Sequence, residues 1–207
     1  MNRVEWGMQL ILATRNAHKL HEIERILGPK FVVTGLSGRD EIAEVHESGS
    51  SYEENAILKA VTVSRQLRGL IVADDSGLEV DALGGAPGIR SARYAGANTG
   101  AGRKIATLLS HLAKIDAKGD HRRARFRCVL ALARDGKVLA TFEGAVDGKI
   151  ADAPRGSNGF GYDPIFIPDG FDKTFAELPE EVKNNISHRA KALGRLRAEL
   201  PTLFGEL

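Results

Sequence analysis

Residues 69–75, GLIVADD, form a short apolar run that ends in two adjacent carboxylates. Such a run reads as a buried strand. Two runs of the same kind precede it, MQLILAT at 8–14 and FVVTGL at 31–36. Between these lies HKLHEIERIL (18–27), which places Leu20, Ile23 and Ile26/Leu27 on one helical face before Gly28-Pro29 stops it. Ser51 and Glu54 have the S-x-x-E spacing of a capping box, which opens a helix predicted to reach about Arg68. Strands that alternate with helices in this way point to an α/β fold.

The second half of the chain changes rhythm. RKIATLLSHL (103–112) sets Ile105, Leu108, Leu109 and Leu112 at helical spacing. ARFRCVLALA (124–133) instead alternates, with Phe126, Cys128, Leu130 and Leu132 on one face. Asp135-Gly136 then predicts a tight turn into KVLATFEGAV (137–146), making a hairpin. SHRAKALGRLRAEL (187–200) predicts a last helix with Ala190, Leu193, Leu196 and Leu200 inward. Early strand–helix alternation followed by a hairpin implies a mixed central sheet flanked by helices.

Composition narrows the function. Hydrophobic residues make up 43% of the 207 residues and charged residues 27%, which suits one domain that buries a real core. Lys plus Arg is 29 against 27 for Asp plus Glu, too even a balance for a duplex nucleic-acid partner. Aromatics at 6% weigh against a single-strand binding groove. No apolar run approaches the ~20 residues of a membrane helix, and MNRVEWG lacks a signal-peptide core. Cys128 is the single cysteine, set mid-strand in an apolar face, so it reads as core. The cytoplasm is the expected location. Residues 8–207 read as one domain, and residues 1–7 as an N-terminal extension.

Four stretches carry candidate chemistry. ATRNAHK (13–19) follows the first strand and opens a helix, where backbone N–H groups and the helix dipole favour phosphate. Thr14 and Asn16 offer hydrogen bonds and Lys19 a charge, but the same residues also suit a plain helix cap. Asp74 and Asp75 are consecutive, so in a strand they face opposite ways and serve different roles. Carboxylates at a strand's carboxyl end lie where α/β sheets bind ligands. Together with Glu47 they suit Mg²⁺, although solvated or capping acids would look the same.

GSNGFGYDPIF (156–166) joins three glycines to Phe160, Gly161, Tyr162 and Asp163. It reads equally as a base pocket or as a glycine-rich turn with its aromatics in the core. In KNNISHRAKAL (183–193), Ser187 reads as a helix N-cap, with His188 and Arg189 in the first turn. Basic side chains are disfavoured at that end of the dipole, which suggests that they face an anion or a carbonyl oxygen.

ATRNAHK, ENAILKA, ADDSGLEVDALGGAPGIRSARYAG, GFGYDPIF and SHRAKAL occur here in the order of the inosine triphosphate pyrophosphatase (HAM1-type) family, which the chain resembles from about Met8 to Leu200. The resemblance implies two lobes with a cleft between them and a single two-lobed domain. It also implies Mg²⁺-dependent hydrolysis of non-canonical purine nucleoside triphosphates (ITP, dITP, XTP) to the monophosphate and pyrophosphate by a homodimer.

On that resemblance Thr14, Arg15, Asn16 and Lys19 grip the triphosphate, and Ser76 contacts substrate. Asp75 is general base and metal ligand, with Glu47 assisting the metal. Phe160, Gly161, Tyr162, Asp163, Lys183, His188 and Arg189 recognise the base. Arg15 departs from the family's usual small or amide residue, so it either contacts phosphate or points to solvent. Two competing readings stand beside this one: a pyrimidine-directed pyrophosphatase of the Maf type, and a nucleotide sensor without turnover.

Overall fold

The structure, a computed structural model, describes residues 7–97 and 99–204. Most of the expected extension, residues 1–6, lies outside the described residues. The elements in chain order are β1 (Met8–Leu12), α1 (Ala17–Leu27), β2 (Phe31–Thr34), α2 (Tyr52–Ser64), β3 (Leu70–Val80) and α3 (Ala101–Lys114). Then follow β4 (Arg123–Arg134), β5 (Lys137–Ile150), β6 (Phe166–Pro168), α4 (Glu180–Ile186) and α5 (His188–Phe204). The strands form one mixed sheet in the order β2-β1-β3-β4-β5-β6. β1 runs parallel to both β2 and β3, whereas β5 and β6 are antiparallel. The α/β expectation holds.

By contacts the described residues form two compact units, those within 1–75, 129–143 and 189–207, and those within 76–128 and 144–188. In the first, Leu10, Leu12, Ile23, Leu27, Val33, Val72 and Leu193 share one apolar seam, so α1 and α5 both cover the parallel strands. A second cluster joins Leu36, Ile42, Val63 and Ile71. The second unit centres on Leu78, Leu108, Leu112, Tyr162, Phe166 and Phe175. Its loop at 84–88 turns through positive φ at Gly84, Gly85 and Gly88. That loop is pinned back to β3 by the Val80 N–H to Ala86 carbonyl bond of 3.2 Å.

Several sequence expectations need adjusting. β3 does not stop at the aspartates; it runs on to Val80, which places Asp74 and Asp75 mid-strand. What ends near them is the parallel ladder, because β1 pairs with β3 only as far as Leu12–Val72. α2 closes at Ser64 rather than Arg68. Its cap is also offset: Ser51 Oγ accepts the Glu54 N–H at 3.1 Å, but Glu54 bonds Ser50 instead of Ser51. β4 alternates only at first, since Val129, Ala131 and Ala133 are as buried as Cys128, Leu130 and Leu132. In α5 the inward alanine is Ala192, while Ala190 is half-buried.

The hairpin forms as predicted. Asp135 and Gly136 have φ of 52° and 76°, the left-handed pair that a two-residue turn requires. Ser64 at the end of α2 accepts the Gly136 N–H at 3.0 Å, tying the turn to the helix. Ser64→Ala is therefore expected to cost about 1 kcal/mol, read as a melting temperature lower by about 2–4 °C.

Candidate active site

In the first unit, β1 ends at Leu12 and the turn 13–16 leads into α1. Asn16 is the cap: its Oδ1 accepts the N–H groups of His18 (3.0 Å) and Lys19 (3.3 Å). Thr14 Oγ1 accepts the Asn16 N–H at 3.1 Å, which sets the turn. The capping role of both residues is thus present in the structure. The cap uses the His18 and Lys19 N–H groups, and what favours an anion here is the positive end of the α1 dipole together with the Asn16 amide nitrogen. Arg15 is exposed, and its guanidinium is engaged by the protein's own backbone. Its guanidinium donates to the carbonyls of Arg39 (3.2 Å) and Ile42, which staples the loop that leads to Glu47.

The register carries Thr14 and Asp74 off the parallel ladder at the same level, since Ala13 N–H bonds the Val72 carbonyl at 2.8 Å. Asp74 is 4% exposed and meets two cations. Lys19 Nζ donates to its Oδ1, and Arg189 Nε donates to its Oδ2 at 2.9 Å. Arg189 also donates to Glu22 Oε2 at 2.9 Å from a side chain that is 1% exposed. Burial raises the Asp74 pKa, but Arg189 and Lys19 outweigh it and hold this carboxyl well below the usual carboxylate range.

Asp75 faces the other way, as the strand period requires. Lys59 Nζ donates to its Oδ1 at 2.9 Å, to Glu47 Oε1 at 2.9 Å and to the Asp74 carbonyl at 2.8 Å. Asn55, one turn earlier on α2, donates to Asp75 Oδ2 at 3.4 Å and accepts the Gly49 N–H at 2.8 Å. Gly49 has to be glycine for that approach, because a Cβ there would lie 2.7 Å from Asn55 Oδ1. Burial raises the Asp75 pKa; Lys59 opposes the shift and Glu47 adds to it, and the carboxyl ends above its ordinary value. The result is a stronger base than a solvated aspartate.

Among the described residues no three His, Cys, Asp or Glu side chains converge as a metal cage. The donor set around Lys59 is instead two carboxylates and a carbonyl, all hard oxygens. It fits Mg²⁺, which takes one or two carboxylates and fills its remaining positions with water and substrate phosphate.

The second unit gathers a different group. Asp163 Oδ2 accepts the Phe160 N–H at 2.7 Å and the Lys183 ammonium at 2.6 Å. Lys183 Nζ also lies 4.8 Å from the centre of the Phe160 ring. Gly159, at φ 70°, leaves room for this, since a Cβ would fall 2.1 Å from Asp163 Oδ2. Gly161 continues the turn at φ 65°. Tyr162 is core: it is 5% exposed, and its hydroxyl donates to the Ser91 carbonyl at 3.0 Å. His188 is buried and stacks on Phe126 at 4.8 Å and 10°. Ser76 is half-buried on β3.

Sequence reasoning passed over Asn55, Lys59 and Glu22. Asn55 and Lys59 carry a readable signal, being four residues apart on one face of a capped helix. Glu22 adjoins the apolar stripe of α1, but its partner Arg189 is far away in sequence. Arg189, expected with the base-recognition group, turns its Nε and Nη1 to Asp74 and Glu22.

Asp74→Asn would leave Lys19 and Arg189 facing a neutral partner and is expected to cost about 3–5 kcal/mol at pH 7. Because the folded-state pKa is depressed, the wild-type advantage holds above the unfolded value of about 3.9. It shrinks as pH falls further toward the folded value. Urea midpoints of both proteins measured from pH 7 to pH 3 check this.

The Ham1 family profile matches residues 10–199. A dITP/XTP pyrophosphatase of Geobacillus kaustophilus is 46% identical over 198 residues, covering 95% of this chain and 96% of its own. A Bacillus subtilis protein of the same name is 47% identical over 189 residues, covering 91% and 94%. Among solved structures, a HAM1 protein from Coxiella burnetii superposes with a TM-score of 0.82 at 39% identity, over 94% of this chain and 99% of its own. The Staphylococcus aureus Ham1 protein gives 0.80 at 43% identity, over 94% and 98%. A match of this extent, in sequence and in fold, places the chain in the Ham1 family.

Proposed function

We propose that the chain hydrolyses non-canonical purine nucleoside triphosphates (ITP, dITP and XTP) to the monophosphate and pyrophosphate, and so clears them from the nucleotide pool. The observation that carries this reading is the pairing of Asp75 with Glu47 across Lys59, one residue along β3 from the carboxylate that holds Lys19. The dITP/XTP pyrophosphatase relatives supply the substrate class.

The roles follow the chemistry of each set. The α1 N-terminus, Thr14, Asn16 and Lys19 bind phosphoryl oxygens, with Arg15 holding the adjoining loop. Asp75 takes the proton from the attacking water, a step worth about 10²–10⁴ in rate. Glu47 and Asp75 would hold Mg²⁺, which would supply charge neutralisation on the phosphates. Ser76 offers a hydroxyl donor to the substrate.

Phe160, Gly161, Tyr162 and Asp163 form the base-binding turn, with Lys183 placed over the Phe160 ring. The Phe160–Asp163 turn with Lys183 and His188 supplies donors that match the 6-oxygen of inosine and xanthine, while Arg189 acts through Asp74 and Glu22, to which it is bonded. Adenine offers an amino group there and leaves such donors unmatched, a mismatch that costs about 1–3 kcal/mol. The same reading makes the protein a cytoplasmic homodimer. No helix among the described residues is long and apolar enough to cross a membrane.

The test is pyrophosphate release from ITP, dITP, XTP, GTP, ATP and dTTP, with Mg²⁺ and with EDTA. Release from the three 6-oxo non-canonical purines is expected to exceed release from ATP by about 100-fold and to vanish in EDTA. Asp75→Asn is expected to lower turnover by about 10²–10⁴ while leaving the circular dichroism spectrum unchanged. Turnover mainly of dTTP would overturn the purine assignment, and substrate binding without release would leave a sensor.

Gly159→Ala gives a separate check on the base-binding turn. Its Cβ would displace the Asp163 carboxylate, so KM for ITP should rise with kcat little changed. An unchanged KM would detach Asp163 from substrate binding.

A further inference from the structure

We propose that Lys59 stands in for the divalent cation, holding Glu47 and Asp75 together in the metal-free protein and competing with the metal for their oxygens. This rests on the reading of Glu47 and Asp75 as the cation's carboxylates. An ammonium has three donors and no acceptor. Lys59 directs them to Glu47 Oε1, Asp75 Oδ1 and the Asp74 carbonyl, each within 2.8–2.9 Å. Those are hard oxygens of the kind that Mg²⁺ takes.

The arrangement is also built to stay put. Lys59 and Asn55 share a face of α2, and Asn55 ties both Asp75 and the Gly49 backbone to that helix. The Lys59 side chain is 11% exposed and that of Asp75 8%, so their attraction is little screened. Without Lys59, Glu47 and Asp75 would lose the ammonium that they share. With it, the carboxylates are in place before any metal arrives. The consequence is that the nucleotide-free protein binds a divalent cation weakly. Metal then loads together with nucleotide, whose phosphates complete its ligand set.

The experiment compares the wild type with Lys59→Met, Lys59→Arg and the double variant Lys59→Met/Asp75→Asn, all without nucleotide. Melting temperatures are taken in EDTA and across a Mg²⁺ titration. In EDTA, Lys59→Met is expected to melt about 5–10 °C below wild type. Lys59→Arg, which keeps the charge, should lose less. Asp75→Asn should restore much of the Lys59→Met loss by removing one carboxylate, and it keeps the test open where Lys59→Met alone fails to fold. Mg²⁺ should raise the Lys59→Met melting temperature at concentrations about tenfold or more below those that act on wild type.

A Lys59→Met loss that Asp75→Asn does not relieve would overturn the counter-ion role. Equal Mg²⁺ responses in the two proteins would overturn the competition. Mg²⁺ that stabilises neither protein, while Asp75→Asn still rescues Lys59→Met in EDTA, would instead sink the assignment of Glu47 and Asp75 to the metal.

Discussion

The Asp74 carboxylate is where the first unit's secondary structure becomes a site. It sits on β3 at 4% exposure and takes one cation from α1, Lys19, and another from α5, Arg189. Glu22 on α1 closes the set by taking Arg189 as well. Asp74, Glu22 and Arg189 are all buried there, so removing Asp74 would strip two cations of a carboxylate in a place where water compensates poorly. The same carboxylate fixes where Lys19 points, one turn past the Asn16 cap, so the turn at 13–16 inherits its charge placement from β3. It also offsets the basic first turn of α5, which is unfavourable at a helix N-terminus when taken alone.

Adjacent residues on one strand have here been given opposite electrostatic fates. Asp74 and Asp75 differ by one step of the pleat, and that step sends them to different neighbours. Asp74 meets two cations and is held ionised, at low basicity. Asp75 shares the Lys59 ammonium with Glu47, and burial leaves it more basic than a free aspartate. An acid held ionised and a more basic acid therefore need no separate loops. The alternation of a strand that is covered on both faces is enough to divide the work.

Much of this was legible in the linear chain because the signals are local. The Asp135-Gly136 turn depends on two residues that tolerate positive φ. Asn16 caps α1 through N–H groups two and three residues away. The opposed facing of Asp74 and Asp75 follows from the strand period alone. Where local reading failed, a neighbour in space had intervened. β3 outruns the apolar GLIVADD because its far half continues in the sheet after β1 has ended. β4 loses its alternation because both of its faces are covered. Arg15 reads as a phosphate or solvent residue until the carbonyls of Arg39 and Ile42 are found beside it.

By itself the sequence determined the α/β class, the hairpin, the capped helix starts and the identity of most of the polar residues that gather at the two polar groups. These rest on periodicity and on contacts within a few residues, which a chain displays without folding. Only the tertiary structure decided which acid would bind which base. Glu22 and Arg189 pair at 2.9 Å across a sequence separation of 167, and Lys59 reaches Glu47 from 12 residues away and Asp75 from 16. Charge pairing depends on distance and on the loss of water, and both are set by packing of the apolar faces rather than by order along the chain.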